Sequence, residues 1–303
     1  MRVLPTSALL AALALLSGCK SVALKFAADA AAGTGDNYAK DDDPELVRAA
    51  VPFGLKTMEG VLDEKPRHEG LLTALSSGFT QFSYAFVQTD ADIADLDGKL
   101  EEARAGRDRA RRLYVRGREY GLRGLDVRRD QLGASLRAGG DEAKGALARA
   151  QKGDVKLLYW TASAWVLSIA ANKADMAAIA ELPTPIAMME RALALDEGWN
   201  DGSIHEFFVA DDATRSAAEG GGPDRAKAHL DRALALSMNK KLGPRVSWAE
   251  GVLVQRQQRD EFVRVLQEVL RADPGEVPRF RLGNLIAQKR AKALLAHVDD
   301  LFL

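Results

Sequence analysis

Cysteine is almost absent from this chain of 303 residues, which contains a single one, Cys19. A chain with one cysteine cannot close an internal disulfide, so it must be held together by packing. Hydrophobic residues make up 47% of the sequence, which is enough to bury a sizeable core at this length. The composition therefore predicts a packed globular body without covalent cross-links.

The motifs of common catalytic and metal centres are also missing. The four histidines, His68, His205, His229 and His297, lie far apart and form no HExxH pattern. No GxSxG elbow or phosphate-binding glycine loop occurs. We therefore predict that the protein is not an enzyme and that it has no cofactor or metal site. The net charge of −1 argues against a polyanionic partner such as nucleic acid.

Signals for β-strands are absent as well. Val, Ile and Thr do not cluster with period two, and no Asn-Gly hairpin turn is present. Apolar residues instead recur every three or four positions. Asp43-Pro44 and Thr184-Pro185 each place a capping side chain before a proline, as at helix starts. An all-α fold is the prediction.

One apolar run stands out near the N-terminus, from Leu9 to Leu16. It is far shorter than the roughly 20 residues that cross a bilayer. The segment Leu16-Ser17-Gly18-Cys19 follows the lipobox pattern of bacterial lipoproteins, although a plain signal peptide with a chance cysteine would look similar. We expect a signal peptide over 1–18, a lipid-anchored tether over 19–43 and a helical domain over 44–303. Acyl chains on Cys19 would hold the protein on a bilayer.

The residue after the cysteine is Lys20, not the aspartate that retains lipoproteins on the inner membrane. The expected location is therefore the periplasmic side of the outer membrane.

An internal repeat is present in the C-terminal half. The segment RALALD at 191–196 returns as RALALS at 232–237 and, more loosely, as EVLRADP at 268–274. Each copy resembles the second helix of a tetratricopeptide unit, in which alanine allows close helix approach. Such helix pairs stack to bury their apolar faces. The alternative is chance similarity in an alanine-rich chain; the repeat predicts a tetratricopeptide-like array.

Ten arginines and three acids fall between Arg104 and Arg129. Arg104, Arg107, Arg111 and Arg118 share one helical face, which is either a solvated basic face or a docking surface for an acidic partner. The opposite face carries Gly117, Gly121 and Gly124. Glycine costs helix stability, so three of them predict very close packing against a neighbouring helix.

The aromatic residues suggest a ligand site. Trp160 and Trp165 share one apolar helix with Tyr159, and Trp199 opens a loop that contains Asn200 and runs to His205. Apolar walls with a few polar groups are typical of small-molecule pockets, whereas each ring alone could be core. Positions 160 and 165 point some 140° apart on a helix, so both cannot line one wall. We expect Trp160 with Asn200 and His205 to seat an organic anion or a polar-headed lipid-like molecule.

Several segments together resemble the T-component of tripartite ATP-independent periplasmic (TRAP) transporters. They are Leu158-Tyr159-Trp160, Ala164-Trp165, Ile179 to Pro183, Arg191 to Asp196, Gly202, His205-Glu206, Ala226 to Leu230, Phe262, Arg281 to Asn284 and Leu301 to Leu303. The resemblance implies a helical homotrimer with a pore-like apolar channel in each protomer. It also implies docking of a periplasmic substrate-binding protein (the P-component) and help in delivering an organic ligand. The alternative function is a general tetratricopeptide scaffold for envelope or secretion assembly.

Overall fold

The computed structural model describes residue 33 and residues 35–302, and every regular element in those residues is helical. The predicted all-α class is therefore confirmed. Cys19, the lipobox and the start of the expected tether lie outside the described residues. No helix in the described part of the chain has the length and apolar character needed to cross a membrane.

The first half of the body contains eight α-helices. They are α1 (Gly35–Ala39), α2 (Pro44–Glu64), α3 (Glu69–Phe82), α4 (Thr89–Leu96), α5 (Leu100–Arg128), α6 (Leu132–Ala138), α7 (Gly140–Ala148) and α8 (Val155–Ala170). A π-helical stretch, Ser83–Gln88, joins α3 to α4. The Asp43 carboxylate accepts the N–H groups of Glu45 and Leu46, so the predicted cap before Pro44 is confirmed.

The second half contains eight more. They are α9 (Met176–Ile179), α10 (Pro183–Leu195), α11 (Ser203–Thr214), α12 (Pro223–Leu236), α13 (Gly243–Trp248), α14 (Arg259–Arg271), α15 (Arg281–Ala296) and α16 (Val298–Leu301). A second π-helical stretch, Ala249–Leu253, follows α13. Helix α10 begins two residues before the expected Pro185, because Pro183 itself takes the first helical position.

Each copy of the sequence repeat falls at the C-terminal end of a helix. The first two end α10 and α12, and the third overlaps the end of α14. Ala192 and Ala233 are almost fully buried at these ends. The equivalence of the three segments as tetratricopeptide-like units stays a prediction.

The glycine face of α5 packs closely against α3 and α8, as its sequence predicts. A Cβ built on Gly117 would lie 3.1 Å from the carbonyl oxygen of Ser76, and one on Gly121 would lie 2.1 Å from Thr161 Oγ1. One on Gly124 would lie 2.8 Å from Leu157 Cδ2. These glycines let α5 act as the central helix of the N-terminal half.

The body closes on itself through α15. Ile286 on this helix belongs to the apolar core built mainly by α2, α3 and α5, whereas its neighbours Ala287 and Ala291 belong to the core of α11 to α14. Tyr84 of the stretch at 83–88, Tyr159 of α8, Glu206 of α11 and Arg290 of α15 come close enough for their charges to interact, and we call the region that they share the interior.

Candidate ligand site in the interior

Three aromatic rings meet where α8 faces the loop after α10. We call Tyr159, Trp160 and Trp199 the aromatic cluster. The ring centroids lie 4.5 Å apart for Tyr159–Trp199, 4.9 Å for Tyr159–Trp160 and 6.3 Å for Trp160–Trp199. All three side chains are half-buried. Two of the rings assigned to a site from the sequence, Trp160 and Trp199, are thus brought together, and Tyr159 joins them.

Trp165 occupies a different place. Its side chain is buried in the core, its Nε1 donates a 2.7 Å hydrogen bond to Glu181 Oε2, and the Arg118 guanidinium lies over its ring at 5.1 Å. Among the described residues, none of the aromatic ring pairs joins Trp165 to the aromatic cluster. The divergence of positions 160 and 165 on the helix explains the separation.

The loop that carries Trp199 has an unusual backbone. Asn200, Asp201 and Gly202 all have positive φ, at 48°, 54° and 84°. Asn, Asp and Gly tolerate this left-handed region better than other residues do. The Asn200 side chain is exposed and its Nδ2 donates to Ser203 Oγ at 2.8 Å. Asn200 therefore supports the loop from within.

Two cations hold this loop from outside. Lys241 Nζ donates to the Asn200 carbonyl and to Ser203 Oγ, both at 2.6 Å. Arg279 donates to both carboxylate oxygens of Asp201, at 2.9 and 3.1 Å. The backbone beside the Trp199 ring is consequently fixed by contacts from the C-terminal third of the chain.

Glu206 is the acidic group of this interior. Its carboxylate lies 4.0 Å from Lys241 Nζ and against Gly243, where a Cβ would come within 2.2 Å of Oε1. Burial raises the pKa of Glu206, although the nearby Lys241 charge lowers it. Burial lowers the pKa of Lys241, although the nearby Glu206 charge raises it. Burial thus works against the charge of each group, and the charge of its partner works in favour of it.

Tyr84, Tyr159 and Glu206 lie close enough together for their charges to interact. Tyr84 is 37% exposed and the Glu206 side chain 31% exposed, yet burial raises the pKa of both groups. Burial also raises the pKa of Tyr159, and the Glu206 charge raises it further, as it does for Tyr84. The three groups come from three separate elements.

Arg290 on α15 joins the two π-helical stretches by contacting Tyr84 on one and Glu250 on the other. Its guanidinium lies 5.6 Å from the Tyr84 ring and donates to both Glu250 oxygens, at 2.8 and 3.1 Å. It also donates to Asp92 at 3.0 Å. π-Helical turns are frequent at functional sites because they redirect side chains, and here they place Tyr84 and Glu250 on either side of one arginine.

His205 is engaged in the contact between α11 and α12. It is buried, and its Nδ1 lies 2.7 Å from Nδ1 of His229, so that one nitrogen donates and the other accepts. Its Nε2 lies 3.1 Å from Glu197 Oε1. The hydrogen bond from Arg232 is the main reason that the pKa of Glu197 falls to about 2. The bonds of His205 thus run to the neighbouring helix and to Glu197.

No group of three or more His, Cys, Asp or Glu side chains within the described residues could hold a metal ion. The aromatic cluster supplies apolar surface, and Glu206 and Lys241 supply polar groups close by.

The described residues form an all-helical body in which three aromatic rings meet. The chain belongs to the TRAP transporter T-component family, whose model matches residues 40–302. It is 28% identical over 267 residues to an uncharacterized protein of Treponema pallidum (strain Nichols), covering 88% of this chain and 82% of that protein. Family membership gives the chain an accessory role in a TRAP transporter.

Proposed function

We propose that this T-component docks the periplasmic substrate-binding protein of a TRAP system and passes a small organic ligand through its interior. In this proposal Cys19 carries the lipid anchor, and the protein faces the periplasm from the outer membrane. Support comes from the family match and from the lipobox at 16–19.

The aromatic cluster carries the ligand part of the proposal. Three half-buried rings offer apolar surface to a ligand body, and Glu206, 4.0 Å from Lys241 Nζ, offers a polar group for its head. Asn200 and His205 bond within the protein, so we assign them positioning roles, Asn200 for the loop of Trp199 and His205 for α11. Trp165 anchors α8 in the core.

A dansylated fatty acid tests this site, because it combines an apolar chain, a carboxylate head and a fluorescence signal. We expect saturable binding that Trp160→Ala weakens about tenfold, the loss of one aromatic contact of ~1.4 kcal/mol. The matched control is Leu100→Ala, which removes an exposed apolar side chain at the start of α5. Equal binding by Trp160→Ala and the wild type, or no saturable binding at all, would favour the scaffold function instead.

Thermal unfolding of the same variants separates a site residue from a core residue. Truncating a fully buried tryptophan costs roughly 3–5 kcal/mol. Trp160 is only half-buried, so we expect Trp160→Ala to lose less than about 2 kcal/mol. A loss in the full core range would remove Trp160 from the site.

Assembly is proposed as a homotrimer that docks a P-component. Leu46 and Phe53 on α2 are 59% and 78% exposed and, seven residues apart, share one helical face. Exposed apolar groups of this kind mark contact surfaces. Light scattering should give a trimer mass that Phe53→Glu reduces; a wild-type monomer would contradict the assembly. Co-purification from native membranes should recover a TRAP substrate-binding protein.

A further inference from the structure

A concavity lies between α5 and the end of α8, and no residue of the aromatic cluster lines it. It has a volume of about 280 Å³, near the lower end for small-molecule sites. Helix α5 forms one wall, and the end of α8 with the segment through α9 forms the other. Its lining consists of Arg111, Val115, Arg118, Ser168, Ile169, Asn172, Asp175, Ala178 and Glu181.

The charge balance along the basic face of α5 singles out Arg111. Arg104 pairs with Glu101, Arg107 pairs with Asp95, and Arg118 pairs with Glu119 and Glu181. Arg111 has neither an ion pair nor a hydrogen bond among the described residues, and its Nε is buried without a partner. Other arginines of the chain also leave a buried Nε without a partner, but Arg111 differs because its guanidinium forms neither an ion pair nor a hydrogen bond with the described residues, and it lines the pocket.

The two acids of the pocket are already engaged. Glu181 accepts hydrogen bonds from Trp165 Nε1 at 2.7 Å and from Arg118 at 3.3 Å. Asp175 caps the short helix α9 by accepting the N–H of Ala178 at 3.1 Å. Neither acid forms an ion pair with Arg111. Their charges do, however, disfavour a multivalent anion in the same small space.

The pocket also contains a polar side chain, Asn172, that could contact a ligand bound to Arg111. The side-chain amide of Asn172 has no hydrogen-bond partner within the described chain, and Ile169 and Val115 add apolar wall. Arg118 pairs with Glu119 and Glu181 and stacks on the Trp165 ring, so it forms part of the pocket wall and is not free to bind a ligand. The pocket thus combines one arginine without an ion pair, one free amide and apolar surface.

We propose that this pocket binds a small monocarboxylate through Arg111, at a site separate from the interior one. A carboxylate matches the guanidinium fork and its single charge, and a bidentate pair gives both strength and orientation. Asn172 then bonds a polar substituent of the ligand.

Isothermal titration at fixed ionic strength tests the proposal with acetate, lactate and benzoate, and with inorganic phosphate as a different anion. We expect at least one monocarboxylate to bind saturably and Arg111→Gln to weaken that binding about tenfold or more, the loss of a charge-assisted pair. Arg112→Gln is the matched control, since Arg112 is the next residue on α5, exposed and outside the pocket. It should bind within about twofold of wild type.

Three outcomes overturn the proposal: no binding by any monocarboxylate at about 20 mM, equal weakening by both variants, or tighter binding of phosphate than of every carboxylate. Arg111 has no partner to lose, so Arg111→Gln should keep the wild-type melting temperature. The dansylated fatty acid should bind Arg111→Gln as it binds the wild type, so failure here is distinguishable from failure at the interior site.

Discussion

Gly121 offers the sharpest test of how α5, α3 and α8 fit together. A Cβ at this position would lie 2.1 Å from Thr161 Oγ1, 2.9 Å from Thr161 Cβ and 2.8 Å from Ser76 Oγ. Thr161 Cβ cannot move unless the backbone of α8 moves too. Gly121→Ala therefore pushes α8 away from α5, since no rotamer change can relieve the contact.

Two opposing effects determine how much Gly121→Ala changes the free energy of unfolding. Overpacking a tight core contact costs about 1–3 kcal/mol, and three contacts below 3.0 Å place this site toward the upper end. Replacing glycine by alanine inside a helix returns about 1 kcal/mol. We expect a net destabilisation of about 2 kcal/mol, which lowers the Tm by about 4–8 °C at this chain length.

Gly60→Ala is the matched control, because Gly60 lies inside α2 with nothing within 4 Å of its built Cβ. This variant should gain about 0.5–1 kcal/mol from helix propensity alone. Chemical denaturation of both variants measures the difference. If Gly121→Ala were as stable as Gly60→Ala, the close approach of α5 and α8 would be wrong. Thr161→Ala in the Gly121→Ala background should recover part of the loss, since Thr161 Oγ1 has no hydrogen-bond partner.

Two further predictions concern charged groups. Burial lowers the pKa of His205 and of His229 below 6.5 in the folded protein, so the unfolded chain binds protons first and stability falls as pH drops below about 6.5. Replacing both with Gln should flatten this part of a Tm-against-pH profile; an unchanged slope would contradict the assignment. Arg290→Met should cost about 3 kcal/mol in chemical denaturation, the low end for breaking a buried pair, because Asp92 and Glu250 keep 29% and 31% exposure. A loss below about 1 kcal/mol would refute its linking role.

The fold was predictable where the signal is local. Helical periodicity and the cap at Asp43 depend on residues within one turn of each other, and the sequence shows them directly. The three glycines of α5 were also informative, since each costs helix stability that only close packing explains. The π-helical stretches at 83–88 and 249–253 could not be predicted, because a single inserted residue leaves the apolar pattern nearly unchanged.

The interior site was only partly predictable, for a related reason. Trp160 and Trp199 stand out by their size, and their meeting with Tyr159 follows from a loop that returns to α8. Glu206 and Lys241 are 35 residues apart, and nothing local marks them as neighbours. His205 stood near the right loop in sequence, but its ring points to a helix that begins at residue 223.

The close helix contact and the aromatic cluster are coupled through the chain itself. Thr161, which meets Gly121, directly follows Tyr159 and Trp160, so a displacement of α8 at Thr161 also moves these rings relative to Trp199. The Trp199 loop cannot follow, because Lys241 and Arg279 hold it to the C-terminal half. Gly121→Ala should therefore weaken binding of the dansylated fatty acid at temperatures where the variant is still folded, whereas Gly60→Ala should not. If Gly121→Ala lost stability but bound the probe like the wild type, the cluster would tolerate the displacement of α8, and the ligand would depend on the loop side of the site alone.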